Sequence, residues 1–222
     1  ADSTFDDHSY SNLKLIRTKH LHLDIDVNFD SKTIYGVARH EMINSGTDTA
    51  IFDIKGLEIQ KITLGKDKEE ETDFVIGQWD EDSLLGQPLM VTVTPKTTHV
   101  NIYYKTTDKT EAIDWLSPEL TTGKKHPYMY TQGQAILTRS WIPCQDSPAN
   151  RITYSAKVKV PKDLLPVMSA ENPQAKNAEG VYDFQMKQAI PCYLIALAVG
   201  NLSYKKLGPN CGVYSEPEMI NS

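Results

Sequence analysis

The chain has 222 residues, 40% of them hydrophobic and 23% charged, enough for one large or two small β domains with a real hydrophobic core. Its net charge of −6 argues against a nucleic-acid surface, which needs a concentrated basic face. The longest apolar run, YLIALAV at 193–199, is far below the roughly 20 residues that cross a bilayer, so no membrane span is expected. Three widely spaced cysteines, Cys144, Cys192 and Cys211, form no C-x-x-C pair and support neither a disulfide scaffold nor a zinc ribbon. Cys144 and Cys192 each follow a proline and read as buried small hydrophobes. A catalytic thiol is the alternative, and it would need a histidine partner that spacing does not reveal.

Residues 1–12 are polar and acidic and read as a flexible N-terminal arm. Leu21, Leu23, Ile25, Val27 and Phe29 then alternate with His20, His22, Asp24, Asp26 and Asn28, the period of a half-buried strand. A metal site on the His20/His22/Asp24/Asp26 face is the sharp reading; a solvated strand face is the one adopted. Residues 40–44 (HEMIN) imitate the zinc-protease motif H-E-x-x-H, but the fifth residue is Asn44. The segment also reads as strand, where positions four apart lie roughly 13 Å from each other, too far to share a metal ion.

Further short β runs are expected at 50–54, 57–64, 74–76, 89–94 and 100–105, with a charged hairpin tip at 65–73. Residues 111–118 (EAIDWLSP) break the strand rhythm and open a long irregular connection. Strands resume at 152–160, 167–170, 181–186 and 193–199, the last read as buried on both faces. No segment sustains a 3.6-residue apolar period. The expected fold is therefore all-β, an antiparallel multi-sheet sandwich or saddle with long connecting loops. Residues 215–222 carry helix-start chemistry in Ser215, Pro217 and the flanking Glu216 and Glu218. They read as the truncated start of a following domain.

The stretch 128–148 (YMYTQGQAILTRSWIPCQDSP) carries the functional signal. Together with WLSP at 115–118, GKKHPY at 123–128, TKHLHLDIDVNF at 18–29 and PCYLIALAVG at 191–200, it resembles the N-terminal domain of the zinc aminopeptidase family. The branch it looks most similar to is that of aminopeptidase B and the leukotriene hydrolase. The resemblance covers nearly the whole chain. It implies a saddle-like β domain over 13–214 that covers one side of an active site belonging to the following catalytic domain. That domain supplies the zinc ligands, the general base and a G-x-M-E-N peptide-binding segment. None of these motifs occurs here, so no catalytic residue and no metal ligand is expected in this chain. Zinc is expected in the parent enzyme and not in this fragment.

From the T-Q-x-[QE]-A pattern the resemblance assigns Gln134 to hold the α-amino group of a peptide substrate, with Gln132 a weaker candidate for the same pocket. Gly133 stands where cysteine is common in the family. Arg139 is read as a buried ion-pair partner, Asp146 as a loop brace, and Trp141, Pro143 and Cys144 as packing. The expected partners are the chain's own catalytic domain and a peptide N-terminus. The alternative is a non-catalytic module binding protein or carbohydrate, with Trp115, Tyr128 and Tyr130 as contacts. The chain begins at Ala1 without a methionine, which leaves a cytoplasmic and a periplasmic or secreted location both open.

Overall fold

The computed structural model describes residues 6–220; positions 1–5 of the expected arm and 221–222 of the expected helix start lie outside the described residues. The first eight strands are β1 (Ile16–Asn28), β2 (Thr33–Asn44), β3 (Thr49–Ile54), β4 (Glu58–Leu64), β5 (Glu70–Thr72), β6 (Phe74–Ile76), β7 (Gln87–Thr92) and β8 (His99–Lys105). Eight more follow: β9 (Ile113–Leu116), β10 (Tyr128–Thr131), β11 (Arg151–Lys159), β12 (Leu165–Met168), β13 (Val181–Pro191), β14 (Leu197–Gly200), β15 (Ser203–Gly208) and β16 (Cys211–Ser215). A single helical turn, α1 (Pro217–Ile220), comes last, so the chain is all-β as expected. None of the described helices is long and apolar enough to cross a membrane.

Seven strands form the main sheet in the order β13-β11-β1-β2-β8-β4-β5. A four-stranded sheet (β12-β14-β10-β9), a three-stranded sheet (β3-β7-β6) and the β15-β16 hairpin complete the domain. Pairing is antiparallel except between β1 and β11, which run parallel from His20–Thr153 to Asp26–Lys159. The alternation read in β1 holds: Leu21, Leu23, Ile25 and Val27 are buried. They join Ile102 and Tyr104 of β8, Tyr154 and Val158 of β11, and Phe52 and Leu89 of the three-stranded sheet in one core. Each such side chain contributes about 1.5–3 kcal/mol by leaving water.

Two segments differ from the sequence expectation. The stretch that breaks the rhythm contains β9, whose Asp114 and Trp115 give no alternation because its pairing with β10 is set by the backbone. The run at 193–199 is not one doubly buried strand. Its start belongs to a 3-10 turn (Cys192–Leu194) that leaves Leu194 exposed, and only Leu197–Gly200 is strand. Pro191 ends β13 there, because it has no N–H to extend the ladder.

His40, from the zinc-protease imitation, lies in β2 and is fully buried against Phe52. Its Nε2 is 3.0 Å from the Pro143 carbonyl, an acceptor only, so Nε2–H donates. Nδ1 therefore accepts from the Thr18 hydroxyl, also at 3.0 Å. A neutral tautomer with both nitrogens occupied leaves no lone pair for a metal. Burial holds the imidazole pKa down to about 4. The unfolded chain then takes up a proton at His40 near pH 6.5 that the folded chain refuses until about pH 4. Stability is thus lost as pH falls through this window, by up to about 3 kcal/mol. Thermal unfolding of the chain and of His40→Gln, across the same pH range, should show a shallower acid loss in the variant. Parallel curves would exclude His40 as the source.

Candidate substrate-facing site

The stretch singled out in the sequence begins as β10 at the centre of the four-stranded sheet and leaves it at Thr131. Gln132 N–H donates to the Ala112 carbonyl at 2.8 Å, and Leu137 N–H donates to the Gly133 carbonyl at 2.8 Å. These bonds pin both ends of the TQGQA turn. Gly133 is buried between them, and a Cβ there would sit 2.3 Å from Thr138 Oγ1 and 3.0 Å from the Tyr193 carbonyl. Thr138 has no room to retreat, since its hydroxyl donates to the Cys192 carbonyl at 3.2 Å. The side chains on either side, Gln132 and Gln134, are both exposed. Neither amide has a hydrogen-bond partner among the described residues. The Gln134–Ala135 peptide is cis.

Behind the turn the chain becomes buried and charged. Arg139 is wholly buried, and all three of its guanidinium nitrogens donate. Nε reaches Asp146 Oδ2 at 3.1 Å, Nη1 the Leu85 carbonyl at 2.8 Å, and Nη2 the carbonyls of His8 at 2.7 Å and Asp146 at 3.0 Å. Asp53 of β3, equally buried, lies 3.7 Å from Nη1. Its carboxylate accepts from Tyr10 N–H at 2.7 Å, the Ser9 hydroxyl at 2.6 Å and Asp146 N–H at 2.9 Å. Burial pushes both carboxyls up, Asp146 to about 6, against the pull of the guanidinium. Burial also works against the charge on Arg139, but Asp53 and Asp146 outweigh it and hold its pKa above the ordinary value. Every group facing the Asp53 oxygens is a donor, so that carboxyl is ionised at neutral pH.

Gln145 completes the wall without charge. Its side chain accepts from Thr18 N–H at 2.7 Å and donates to the carbonyls of Ile16 at 3.0 Å and Ile51 at 3.3 Å. Those Ile16 and Thr18 groups precede the point where β11 begins to pair with β1. The amide therefore stands in for a missing strand and ties the main sheet to β3. Trp141 and Cys144 are buried as packing, and Arg139 is a buried ion-pair partner as the sequence suggests; its partner is Asp146, for which the sequence suggests only a loop brace. Asp53 and Gln145 are the residues that sequence reasoning missed. The arm also differs from its reading: residues 8–12 are held down, with Asn12 bonded to Thr49 and Ile51 in addition to the Ser9 and Tyr10 contacts. No local signal foretells this, since the partners are some 40 residues away.

The three aromatics of the alternative reading do not form one surface. Trp115 is opposite Met129 across β9–β10, so it faces away from Tyr128 and Tyr130 and packs edge-on against Phe29 at 5.3 Å. Among the described residues no group of three or more His, Cys, Asp or Glu side chains is arranged to hold a metal ion.

Residues 17–194 match the family described as the Peptidase M1 N-terminal domain. The chain belongs to that family. It is 35% identical to leukotriene A-4 hydrolase of Xenopus laevis over 228 residues, covering 97% of this chain and 36% of that protein. Aminopeptidase B of Rattus norvegicus is 35% identical over 235 residues, covering 96% and 36%. The native leukotriene A4 hydrolase structure from Saccharomyces cerevisiae superposes with a TM-score of 0.88 at 31% identity, covering 98% of this chain and 34% of that one. A Deinococcus radiodurans M1 zinc metallopeptidase bound to a Tyr-Ser-Ala substrate shares the fold, with a TM-score of 0.68 at 19% identity, covering 96% and 49%. This M1 domain thus spans about a third of the length of the curated relatives it matches.

Loss of the Asp53 carboxylate leaves Arg139 paired with Asp146 but strips the acceptor from the Tyr10 and Asp146 N–H groups, at a cost of about 1–3 kcal/mol for each unmet donor. Asp53→Ala should lose stability on that scale in urea unfolding. It should also release the arm, with limited proteolysis cutting sooner around residues 8–12. Unchanged protection of the arm would show that Asp53 does not hold it.

Proposed function

We propose that this chain is the substrate-covering N-terminal domain of a zinc aminopeptidase, and that Gln134 receives the α-amino group of the peptide. The observation that carries this reading is an exposed, unpartnered amide on a turn whose backbone is fixed at both ends. An amide oxygen accepts hydrogen bonds from an ammonium without adding charge, so it orients the substrate's amine and leaves charge neutralisation to an acidic group elsewhere. Gln132, two residues earlier on the same turn, lines the same pocket. Gly133 between them lets the turn pack flat against residues 138 and 193, which keeps both amides at the surface.

Zinc, when bound in the parent enzyme, supplies the activated water that attacks the peptide carbonyl. The residues of this chain bind and orient; they hold no metal and move no proton. The isolated 222-residue chain is accordingly inactive, and its partners are the catalytic domain of the same protein and the peptide N-terminus.

The test is a substitution in the full-length enzyme. A hydrogen bond to a charged group contributes about 1.5–3 kcal/mol, so Gln134→Ala should lower kcat/KM about ten- to a hundredfold, with KM raised. Gln132→Ala should cost less. Unaltered kinetics in Gln134→Ala would remove this residue from the site. A chromogenic aminopeptidase assay on the 222-residue chain with added zinc should show no turnover, and clear activity would refute the division of labour.

A further inference from the structure

The outer face of the main sheet carries a second polar cluster, far from the TQGQA turn in sequence. Strand register lays its side chains in two adjacent rows. One row is Thr153–His20–Glu41–His99 and the next is Ser155–His22–Arg39–Asn101, each crossing β11, β1, β2 and β8. Residues two apart on a strand share a face, so the rows form one polar floor. The β4–β5 connection rises beside it and brings Lys66 to the rim of a cavity of about 290 Å³ lined by His20, His22, Arg39, Glu41, Lys66, His99 and Asn101.

The histidines are linked. His20 Nδ1 lies 2.7 Å from the Thr153 hydroxyl, and His20 Nε2 and His22 Nδ1 lie 3.0 and 2.8 Å from the single hydroxyl of Ser155. That hydroxyl has one proton, so only one imidazole can receive it and the other must donate. The chain therefore has two settings. With His20 donating to Ser155, Ser155 donates to His22 Nδ1, and His22 Nε2–H becomes a free donor. With His20 donating to Thr153, every bond reverses and His22 Nε2 is a bare acceptor. Burial lowers the pKa of both rings, so they are neutral at neutral pH.

The charges decide what the cavity accepts. Glu41, the one acid lining it, is paired with Lys19 at 3.1 Å. Arg39 is paired with Glu69 and reaches the Tyr103 hydroxyl, which leaves its remaining N–H groups uncommitted. Lys66 has no ion-pair partner among the described residues, and His99 engages only through Nδ1, with Thr98. Asp24 and Lys157 act on His22 from β1 and β11 with opposite signs. The free valences are thus N–H groups and a lysine ammonium, a donor set suited to an anion, and no metal-holding group of three occurs among the described residues.

We propose that this cavity is a binding site for a compact oxyanion, a phosphate or a dicarboxylate, held by Lys66, Arg39, His99 and the Nε2–H of His22. An anion selects the setting in which His20 donates to Ser155 and His22 donates outward. It also favours the protonated imidazoles, so binding draws protons and tightens as pH falls through the histidine range. A rise of one pH unit in one ring's pKa on binding gives about tenfold tighter binding below both values.

Histidine proton NMR of the 222-residue chain tests this, with inorganic phosphate in one arm and succinate in the other, at constant ionic strength in chloride. Saturable shifts of His20, His22 and His99, but not of His126, are expected in at least one arm. Binding should be tighter near pH 6 than near pH 8 and tighten further below pH 6. The arm that saturates assigns the class. Lys66→Glu, on an exposed loop, should abolish the shifts without changing the thermal unfolding temperature, and His22→Ala should remove most of their pH dependence. No saturation in either arm, or full binding by Lys66→Glu, overturns the site.

Discussion

Arg139 is a charge that cannot be given up and cannot reach water. A guanidinium keeps its proton at any accessible pH, so a chain that buries it must surround it with acceptors. Here those acceptors come from four separate places: the arm at His8, the loop at Leu85, β3 through Asp53, and the nearby Asp146. Taking three charges out of water is expensive, and a pair of this kind gains little net stability over well-packed apolar residues. What it does gain is definition. Only one arrangement of arm, β3 and the 139–146 stretch leaves no charge stranded, so the segment behind the TQGQA turn has a single position.

Gln145 imposes the same constraint without charge. The first residues of β1 pair with β2 on one side but lack a strand neighbour on the other, because β11 begins pairing only at His20, and the amide of Gln145 supplies the absent donor and acceptor. Its third bond, to Ile51, reaches the other sheet. Two sheets and the arm are thus fastened to one short run of chain, and the turn that precedes it inherits that rigidity. Its own bonds to Ala112 and from Leu137 finish the job. A surface that is to orient a ligand gains most when its backbone is ordered before the ligand arrives.

Much of this was legible beforehand, and the divisions have physical reasons. The alternation of β1 and the strand character of the HEMIN segment follow from period-two burial, which local sequence records directly. The short β9 escaped because a strand of four residues is defined by its neighbour's backbone, not by its own side chains. The run at 193–199 looked uniformly apolar, and only the geometry after Pro191 turns its first part into a 3-10 turn. Arg139 was readable as a buried ion-pair partner, though the sequence did not show that Asp146 is its partner. Asp53 was not, since an aspartate amid apolar neighbours on a strand gives no hint of a partner across the core.

Gln134 and Gln145 make the same point at the level of single side chains. They are the same residue type, eleven positions apart in one motif-bearing stretch, and apart from the family resemblance that singles out Gln134 the residues themselves give no physical basis for treating their amides differently. Burial separates them. Gln145 is sealed from solvent, where an unmet amide would cost about 1–3 kcal/mol, and its oxygen and nitrogen are accordingly committed to backbone groups of β1 and β3. Gln134 lies in water, where an uncommitted amide costs nothing to keep. A group that is exposed, unspent and mounted on a fixed backbone can exchange water for a ligand at small expense. The first amide is structural because its hydrogen bonds are already made, and the second is available for recognition because its bonds are not.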